Sequence, residues 1–297
     1  PRGCTRMSND SDLDDPLDSL LTRSVMDIGI PPRPAILDMV AQELRSSAPD
    51  FRRIALYIST DVALSAGLIK TANSPYFGYR LRARTVIQAL NMLGIEVAGK
   101  ALAGVALRRA FPASPSMERF WDASARIAEY SGLLVNLLGS KGGVRADDAY
   151  TYGLFRDCGV PVLLCKFPSY RDTLAKANAE PLRRFTEVEE DDFPTNHTIV
   201  GCMLAQSWSL PEEICLSIRQ HHDFLLLRSG AESLPVASRR LIALTQVAEH
   251  IHQQQSKRST NHEWQKLGEA SLELLNIDEL RLRELVAEVT ALSHKKD

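Results

Sequence analysis

Residues 153–159 have the sequence GLFRDCG, which closes a predicted helix that begins near residue 146. Asp157 in this stretch is an oxygen donor, and further donors for a divalent metal ion lie on separate predicted helices, which is how an all-helical protein assembles such a site. Those further donors are His197, His221, His222 and Glu249. The residue before Asp157 is Arg156, whose guanidinium stays protonated at physiological pH and cannot ligate a metal. The stretch therefore indicates a metal site that has lost a ligand position and is no longer functional.

The sequence on both sides of this stretch has the apolar spacing of helices. From residue 31 onward apolar residues recur at steps of three and four, and strand-like alternation is scarce. Residues that suit helix starts, such as Asp50, Asp61 and Asn196, precede several apolar stripes. Gly94 interrupts one stripe, and a further helix is expected from there to about residue 110. Later helices are expected over 117–138, 146–157, 236–254, 263–275 and 277–294. The sequence thus predicts an all-α helical bundle.

The segment 112–115, with the sequence PASP, is predicted to be a short linker and the best internal boundary. It separates an N-terminal helical lobe over 23–112 from a helical core over 116–255. Residues 256–297 are expected to form C-terminal helices that pack on this core. Residues 1–22 are rich in Ser and Asp and are predicted to be a disordered acidic arm.

The composition narrows the class of protein. The 297 residues are 44% hydrophobic, enough to bury a substantial core. The formal net charge of −2 gives no broad attraction to nucleic acid or to an anionic membrane. The five cysteines form no CxxC pair, which favours buried, reduced thiols and a cytoplasmic location. No uninterrupted apolar run of about 18 residues and no signal-peptide pattern occur, so no membrane segment is expected.

Several short segments carry a family resemblance. In the N-terminal part they are IPPRP at 30–34, ISTDVAL at 58–64, KTANSPYFG at 70–78 and IQALNMLG at 87–94. In the later part they are GLFRDCG at 153–159, HTIVG at 197–201, WSLPEE at 208–213 and HHD at 221–223. In order and spacing these segments resemble the HDOD domain, a relative of the HD and HD-GYP families. The resemblance implies an all-helical bacterial signalling module with an HD-like core, usually regarded as non-enzymatic.

The same resemblance implies a degenerate metal site. Metal-dependent relatives carry a histidine at the position where this chain has Ala123. The defining His-Asp pair has become Arg156-Asp157, and Glu249 takes the place of the usual distal aspartate. The histidines that match the HD-GYP pattern are His197, His221 and His222. The GYP motif itself is absent. Because two ligand positions are lost, the resemblance implies that metal binds weakly or not at all, with no cofactor and no catalytic residue.

Two interpretations of Arg156 remain open. Its side chain could point into the cavity between the helices and pair with Asp157 or Glu249, neutralising carboxylates that a metal would otherwise balance. It could equally lie solvated at the helix end. The candidate ligand-binding site consists of Arg156, Asp157, His197, His221, His222 and Glu249.

The histidines are predicted to be structural. Adjacent side chains on a helix point about 100° apart, so at most one of His221 and His222 is expected to face a given cavity squarely. The pair is expected to cap a helix C-terminus, where a protonated imidazole meets the negative end of the helix dipole. His197, near a helix start, is expected to be a hydrogen-bonded core residue.

The N-terminal lobe contains a polar and aromatic turn over 73–78, followed by arginines at alternate positions. Such a loop could present aromatic and cationic groups to a partner protein or a phosphate. The contact candidates are Tyr76, Arg80, Arg82 and Arg84. The alternative is that Asn73 caps the preceding helix and the arginines are solvated.

Two classes of function follow from these observations. The leading hypothesis is a non-catalytic signalling module that docks a signalling protein or senses a small ligand in the degenerate site. The alternative is a metal-dependent phosphohydrolase acting on a nucleotide or cyclic dinucleotide, or a receptor that binds the cyclic dinucleotide without cleaving it. A helix-turn-helix DNA reader is disfavoured, because no basic recognition helix is present.

Overall fold

The computed structural model describes residues 29–139, 142–228, 233–256 and 261–294, and the predicted acidic arm over 1–22 lies outside them. Every regular element in these ranges is a helix, which confirms the prediction of an all-α fold. The N-terminal lobe contains α1 to α4, which span Ala35–Leu44, Phe51–Ser59, Val62–Ala72 and Val86–Arg109. A short 3-10 turn, Pro75–Phe77, follows α3.

The rest of the chain supplies the helices of the core. Helices α5 to α9 span Pro115–Leu138, Ala146–Phe155, Gly159–Lys166, Tyr170–Ala179 and Phe185–Asp192. Helices α10 to α14 span His197–Ser207, Glu212–Gln220, Val236–Ser256, Glu263–Leu275 and Glu279–His294. A second 3-10 turn, Phe224–Leu227, follows α11. The later helices predicted from the apolar spacing are all present, with ends within two residues of the predicted limits.

Local sequence accounts for several helix boundaries. Asp50 and Asp61 accept backbone N–H bonds at the starts of α2 and α3, and Asn196 does so at the start of α10. Each cap satisfies donors that the first helical turn leaves without a partner. Gly94 lies inside α4 with φ 73° and ψ 166°, so α4 consists of two helical segments joined at the predicted interruption. A positive φ of this kind favours glycine because it has no side chain to clash.

One large hydrophobic core runs through most of the described helices, and a small separate cluster is formed by Ala177, Phe185 and Val188. Helix α4 packs on α1, α2, α3 and α6, while α5 packs on α6, α12 and α14. Trp121, Tyr152, Phe155 and Trp208 are among the largest side chains that the core buries. The predicted linker falls in the loop between α4 and α5, and the hydrophobic core is continuous across it.

Helix α4 is the one helix in the described ranges that is long and apolar enough to cross a membrane, judged by length and composition alone. In this fold it is packed on four other helices, and 50% of its most apolar window is buried. Helix α4 therefore serves as a core helix of the N-terminal lobe.

Several polar contacts join the N-terminal lobe to the core, and two of them involve Lys100 and Trp208. The Lys100 ammonium on α4 lies 2.7 Å from Asp147 Oδ2 and 2.6 Å from Asp148 Oδ1, both on α6. The indole N–H of Trp208, at the end of α10, donates to the carbonyl of Pro31 at 3.1 Å. The second contact links the start of the N-terminal lobe to α10, the helix that begins at His197.

The starts of α7 and α10 approach each other closely at Gly159. A Cβ atom at this position would lie 2.1 Å from the carbonyl oxygen of His197 and 2.8 Å from the backbone nitrogen of Gly201. Real Cβ atoms do not come this close to backbone, so only glycine allows this crossing. The crossing fixes where His197 stands relative to the end of α6.

We expect Gly159→Ala to destabilise the protein by about 1–3 kcal/mol or more, because two backbones must move apart. Gly104→Ala is the matched control, since the added methyl would meet only the flexible end of Leu154. Urea unfolding followed by circular dichroism measures both free energies. Equal losses in the two variants would show that the α7–α10 approach is not a constraint.

The Lys100 cluster predicts a pH dependence. Burial raises the pKa of Asp147, but Lys100 and Arg145 outweigh it and hold that pKa below its ordinary value. The stabilisation is therefore complete above the ordinary carboxyl pKa of about 4 and is lost as the pH falls through the lower folded value.

Asp147→Asn is expected to reduce the free energy of unfolding by roughly 1–2 kcal/mol at pH 7. Its difference from the wild type should shrink as the pH falls below about 4. Asp172→Asn, at an exposed position of α8, controls for the general effect of removing a charge. A difference between wild type and Asp147→Asn that stays constant down to pH 2 would count against the ion pair.

Candidate functional site

A pocket of about 810 Å³ opens between α5, α12 and the segment that joins α6 to α7. All six residues of the candidate ligand-binding site line this pocket, namely Arg156, Asp157, His197, His221, His222 and Glu249. Ala123 on α5 lines it as well. The helices therefore bring together residues that are spread over almost a hundred positions of the sequence.

Arg156 points into the pocket and is only 8% exposed. Its Nη1 donates to Glu249 Oε2 at 2.9 Å, while Nε and Nη2 donate to Asp157 Oδ2 at 3.1 and 2.8 Å. Of the two interpretations left open by the sequence, the structure has the paired arrangement. The contact joins the end of α6 to the middle of α12 through a buried cation.

Electrostatics keep Arg156 and Asp157 charged. Burial lowers the pKa of Arg156, but the charges of Asp157 and Glu249 outweigh it and raise that pKa well above its ordinary value. Burial raises the pKa of Asp157, but the Arg156 charge outweighs it and holds that pKa well below its ordinary value. Two carboxylates thus share one guanidinium, as a buried cation requires.

Beside this contact lies a group of potential metal ligands, called the four-ligand group below, which consists of Asp157, His197, His221 and His222. One ligand atom from each residue lies within 4.8 Å of the other three. His197 Nε2 is 3.3 Å from His221 Nε2 and 3.2 Å from His222 Nε2. Asp157 Oδ1 is 3.3 Å from His221 Nε2 and 3.7 Å from His197 Nε2.

The other ring nitrogen of each histidine is held by an acceptor. His221 Nδ1 lies 2.9 Å from the carbonyl of Ile218. His197 Nδ1 lies 2.8 Å from Glu189 Oε2, and His222 Nδ1 lies 2.6 Å from Glu263 Oε2. These acceptors assign the proton of each neutral ring to Nδ1, which leaves the Nε2 lone pair facing the group. The arrangement is the one in which protein histidines bind metals.

The expectation that at most one of His221 and His222 faces the cavity is wrong. Helix α11 ends at Gln220, so His221 is the C-cap and His222 lies beyond the helix, where the angular spacing of helical side chains no longer applies. The expected protonated cap is also wrong for His221. Burial, with a smaller effect of the neighbouring His222, lowers the pKa of His221 to about 3, so its ring is neutral at physiological pH.

His197 is hydrogen bonded and 1% exposed, as expected for a core residue, and it also belongs to the four-ligand group. Burial lowers the pKa of His197, but the Glu189 carboxylate outweighs burial and raises that pKa above its ordinary value. Glu189 is itself 0% exposed. The two descriptions of His197, core residue and potential ligand, are therefore not alternatives.

The structure buries one of the four N-terminal contact candidates and exposes the other three. Tyr76 is 3% exposed and stacks on Tyr150, so its assignment as a partner contact is corrected: the ring fills the core instead. Arg80, Arg82 and Arg84 are exposed on the loop between α3 and α4, outside the lining of the pocket. Asn73 holds this loop in place, because its side chain exchanges two hydrogen bonds with the backbone of Ala83.

Sequence analysis missed the acidic partners of the histidines. Glu189 falls in the run EVEEDD, which has the composition of a solvated helix face, and Glu263 lies in the C-terminal part beyond the family resemblance. Lys266 donates to Glu263 Oε1 at 2.8 Å and is also buried. No local pattern marks these residues, since each gains its role only through packing against another helix.

The sequence is similar to a known domain family and to a known protein. The sequence matches the model of the HDOD domain over residues 30–224. An uncharacterized protein of Treponema pallidum (strain Nichols) is 26% identical over 198 residues, which cover 65% of this chain and 38% of that protein. The chain thus spans less than half the length of this relative.

Two solved structures share the fold. A protein of Shewanella amazonensis SB2B, provisionally named a phosphohydrolase, matches with a TM-score of 0.64 at 19% identity, covering 92% of this chain and 93% of that one. A protein of Marinobacter aquaeolei VT8, provisionally named a signal transduction protein, matches with a TM-score of 0.63 at 18% identity, covering 94% and 64%. At these identities the likeness establishes the fold alone.

We expect Arg156→Met to destabilise the protein by about 3–5 kcal/mol, because it leaves Asp157 and Glu249 buried without a counter-charge. Arg283→Met is the control, since Arg283 pairs with Glu279 at an exposed position where solvent screens the contact. Thermal and urea unfolding at pH 7 measure both. If the two substitutions cost the same, Arg156 does not balance the buried carboxylates.

Proposed function

This chain belongs to the HDOD domain family, and we propose that it is a non-catalytic bacterial signal-transduction module. It acts by docking a signalling protein partner or by sensing a small ligand in the pocket between α5 and α12. Such a module works through a change in binding rather than through turnover. We further propose that it works in the cytoplasm and acts on neither nucleic acid nor membrane.

The observation that carries this proposal is the position of Arg156. Its guanidinium binds both Asp157 and Glu249, two carboxylates of the kind that hold a catalytic ion in metal-dependent hydrolases. An ion in that position lowers the pKa of a bound water and holds phosphoryl oxygens. A guanidinium balances the same negative charge but offers no coordination site for water. Arg156 therefore keeps the carboxylates neutralised and the cavity in place, but it does not activate water.

The pocket itself supports ligand sensing. A volume of about 810 Å³ lies within the range of small-molecule pockets, roughly 300–1,000 Å³. Arg119 and Arg126 line it at exposed positions, and Arg156 lines it inside. Since Arg156 is already paired with Asp157 and Glu249, the two exposed arginines are the cations that suit a phosphate-bearing ligand, such as a nucleotide or a cyclic dinucleotide.

The loop between α3 and α4 supports a protein partner. Arg80, Arg82 and Arg84 are exposed there, and Leu81 between them is 82% exposed. Because Asn73 fixes the backbone of the loop at Ala83, these side chains are presented from a defined position. An apolar side chain among cations suits an acidic partner surface with an apolar centre.

A second candidate function is a metal-dependent phosphohydrolase, and the four-ligand group favours it. Its histidines and carboxylate are the donors that hold catalytic ions. The two candidates differ in one observable property. The enzyme releases product from a phosphoester, whereas the receptor returns its ligand intact.

We expect the purified chain to form no product from bis(p-nitrophenyl) phosphate, a nucleoside triphosphate or a cyclic dinucleotide with Mn²⁺, Fe²⁺, Mg²⁺ or Zn²⁺ supplied. Chromatography of the recovered ligand provides the measurement. His197→Gln is the matched variant, because it alters the four-ligand group and leaves Arg156 in place. Turnover by the wild type that disappears in His197→Gln would establish the enzyme instead.

A further inference from the structure

We propose that the four-ligand group binds a single divalent transition-metal ion of the Zn²⁺ class, independently of any hydrolytic activity. The ligand atoms are Nε2 of His197, His221 and His222 together with Oδ1 of Asp157. Three imidazoles and one carboxylate form a donor set of the kind that Zn²⁺ prefers. Such an ion would lie beside Arg156, not in its place.

The atoms of the four-ligand group that face each other lack hydrogen-bond donors. Each histidine commits the proton of its neutral ring at Nδ1, to Ile218, Glu189 and Glu263 respectively. Three Nε2 lone pairs and one carboxylate oxygen then face each other, with four of their separations at 3.2–3.7 Å, and the three rings are buried. Acceptors that face each other without a donor are unfavourable.

One extra proton cannot relieve all of these contacts. If His197 were doubly protonated, its Nε2–H could donate to only one good acceptor, and the remaining Nε2 and carboxylate atoms would still face each other. A central cation attracts all four atoms at once. The positions of the four atoms are therefore explained more completely by a metal ion than by protonation.

The separations between the ligand atoms can be compared with those of a tetrahedral metal site. Four ligand atoms placed about 2.0–2.1 Å from a common centre in a tetrahedron are separated by about 3.3–3.4 Å. The separations in this structure are 3.2 Å and 3.3 Å between histidines, and 3.3 Å and 3.7 Å from Asp157 Oδ1 to two of them. Four of the six separations in the group thus match a tetrahedral site within a few tenths of an ångström, and all six are within 4.8 Å.

Buried carboxylates hold the rings of two of the three histidines. Glu189 receives the His197 ring, the backbone N–H of His197 and the hydroxyl of Tyr170. Glu263 receives the His222 ring and is held in turn by Lys266. Carboxylates that fix the orientation of metal-bound histidines are a regular feature of metal sites.

Arg156 limits the site to a single ion. Asp157 gives Oδ2 to Arg156 and Oδ1 to the four-ligand group, while Glu249 is engaged by Arg156 on the far side. A second ion between these carboxylates would have to displace a guanidinium that both of them bind. The geometry therefore points to one ion next to one fixed organic cation.

The test uses the full chain, stripped with a chelator, dialysed and then titrated with Zn²⁺. We expect close to one Zn²⁺ per folded chain by elemental analysis. His222→Gln and Glu189→Gln should each weaken the affinity by at least about tenfold. His262→Gln, which alters a histidine outside the group, should bind as the wild type does. Circular dichroism checks that each variant is folded.

Clearly substoichiometric Zn²⁺ in the wild type, or an equal loss in His262→Gln, would overturn the proposal. Co²⁺ provides a second readout if the variants do not fold. A tetrahedral site gives the wild type intense visible absorption, whereas a weak octahedral spectrum would overturn the proposal. Metal binding without phosphoester cleavage supports both this site and the non-catalytic function, while binding with cleavage keeps the site and rejects that function.

Discussion

The contact of Arg156 with Asp157 and Glu249 is the interaction on which the pocket depends. The buried carboxylate of Glu249 and the partly buried one of Asp157 need a counter-charge, and the guanidinium contacts both of them. It thereby fixes the distance between the end of α6 and the middle of α12. The imidazoles of α10 and of the segment after α11 are arranged around the remaining oxygen of Asp157.

The sequence predicted the helices well because their signals are local. A cap such as Asn196 binds N–H groups two and three residues away, and Gly94 interrupts its own helix through its own backbone angles. The chemistry of Arg156 was equally clear from the sequence. Its direction was not, since that depends on Glu249, which is 93 residues away and arrives only when α12 packs.

The expectations that proved wrong came from local rules used where long-range packing decides the structure. Helical spacing was assumed for both His221 and His222, but the helix stops at Gln220 and the turn points both rings the same way. Tyr76 sits in a polar segment that resembles a surface loop, yet it is buried because α5 and α6 lie over it. The acid-rich run containing Glu189 has an exposed composition, and one of its members is fully buried. Long-range packing decided each of these cases.

Helix α10 has His197 at its first residue, and Trp208 follows its last. The first ring lies in the pocket, and the indole of the second is bonded to Pro31 in the N-terminal lobe. Eleven residues of uninterrupted helix measure about 16 Å from end to end. A helix resists compression along its axis, so α10 is a rigid connection between His197 in the pocket and the base of the lobe that carries the exposed arginines.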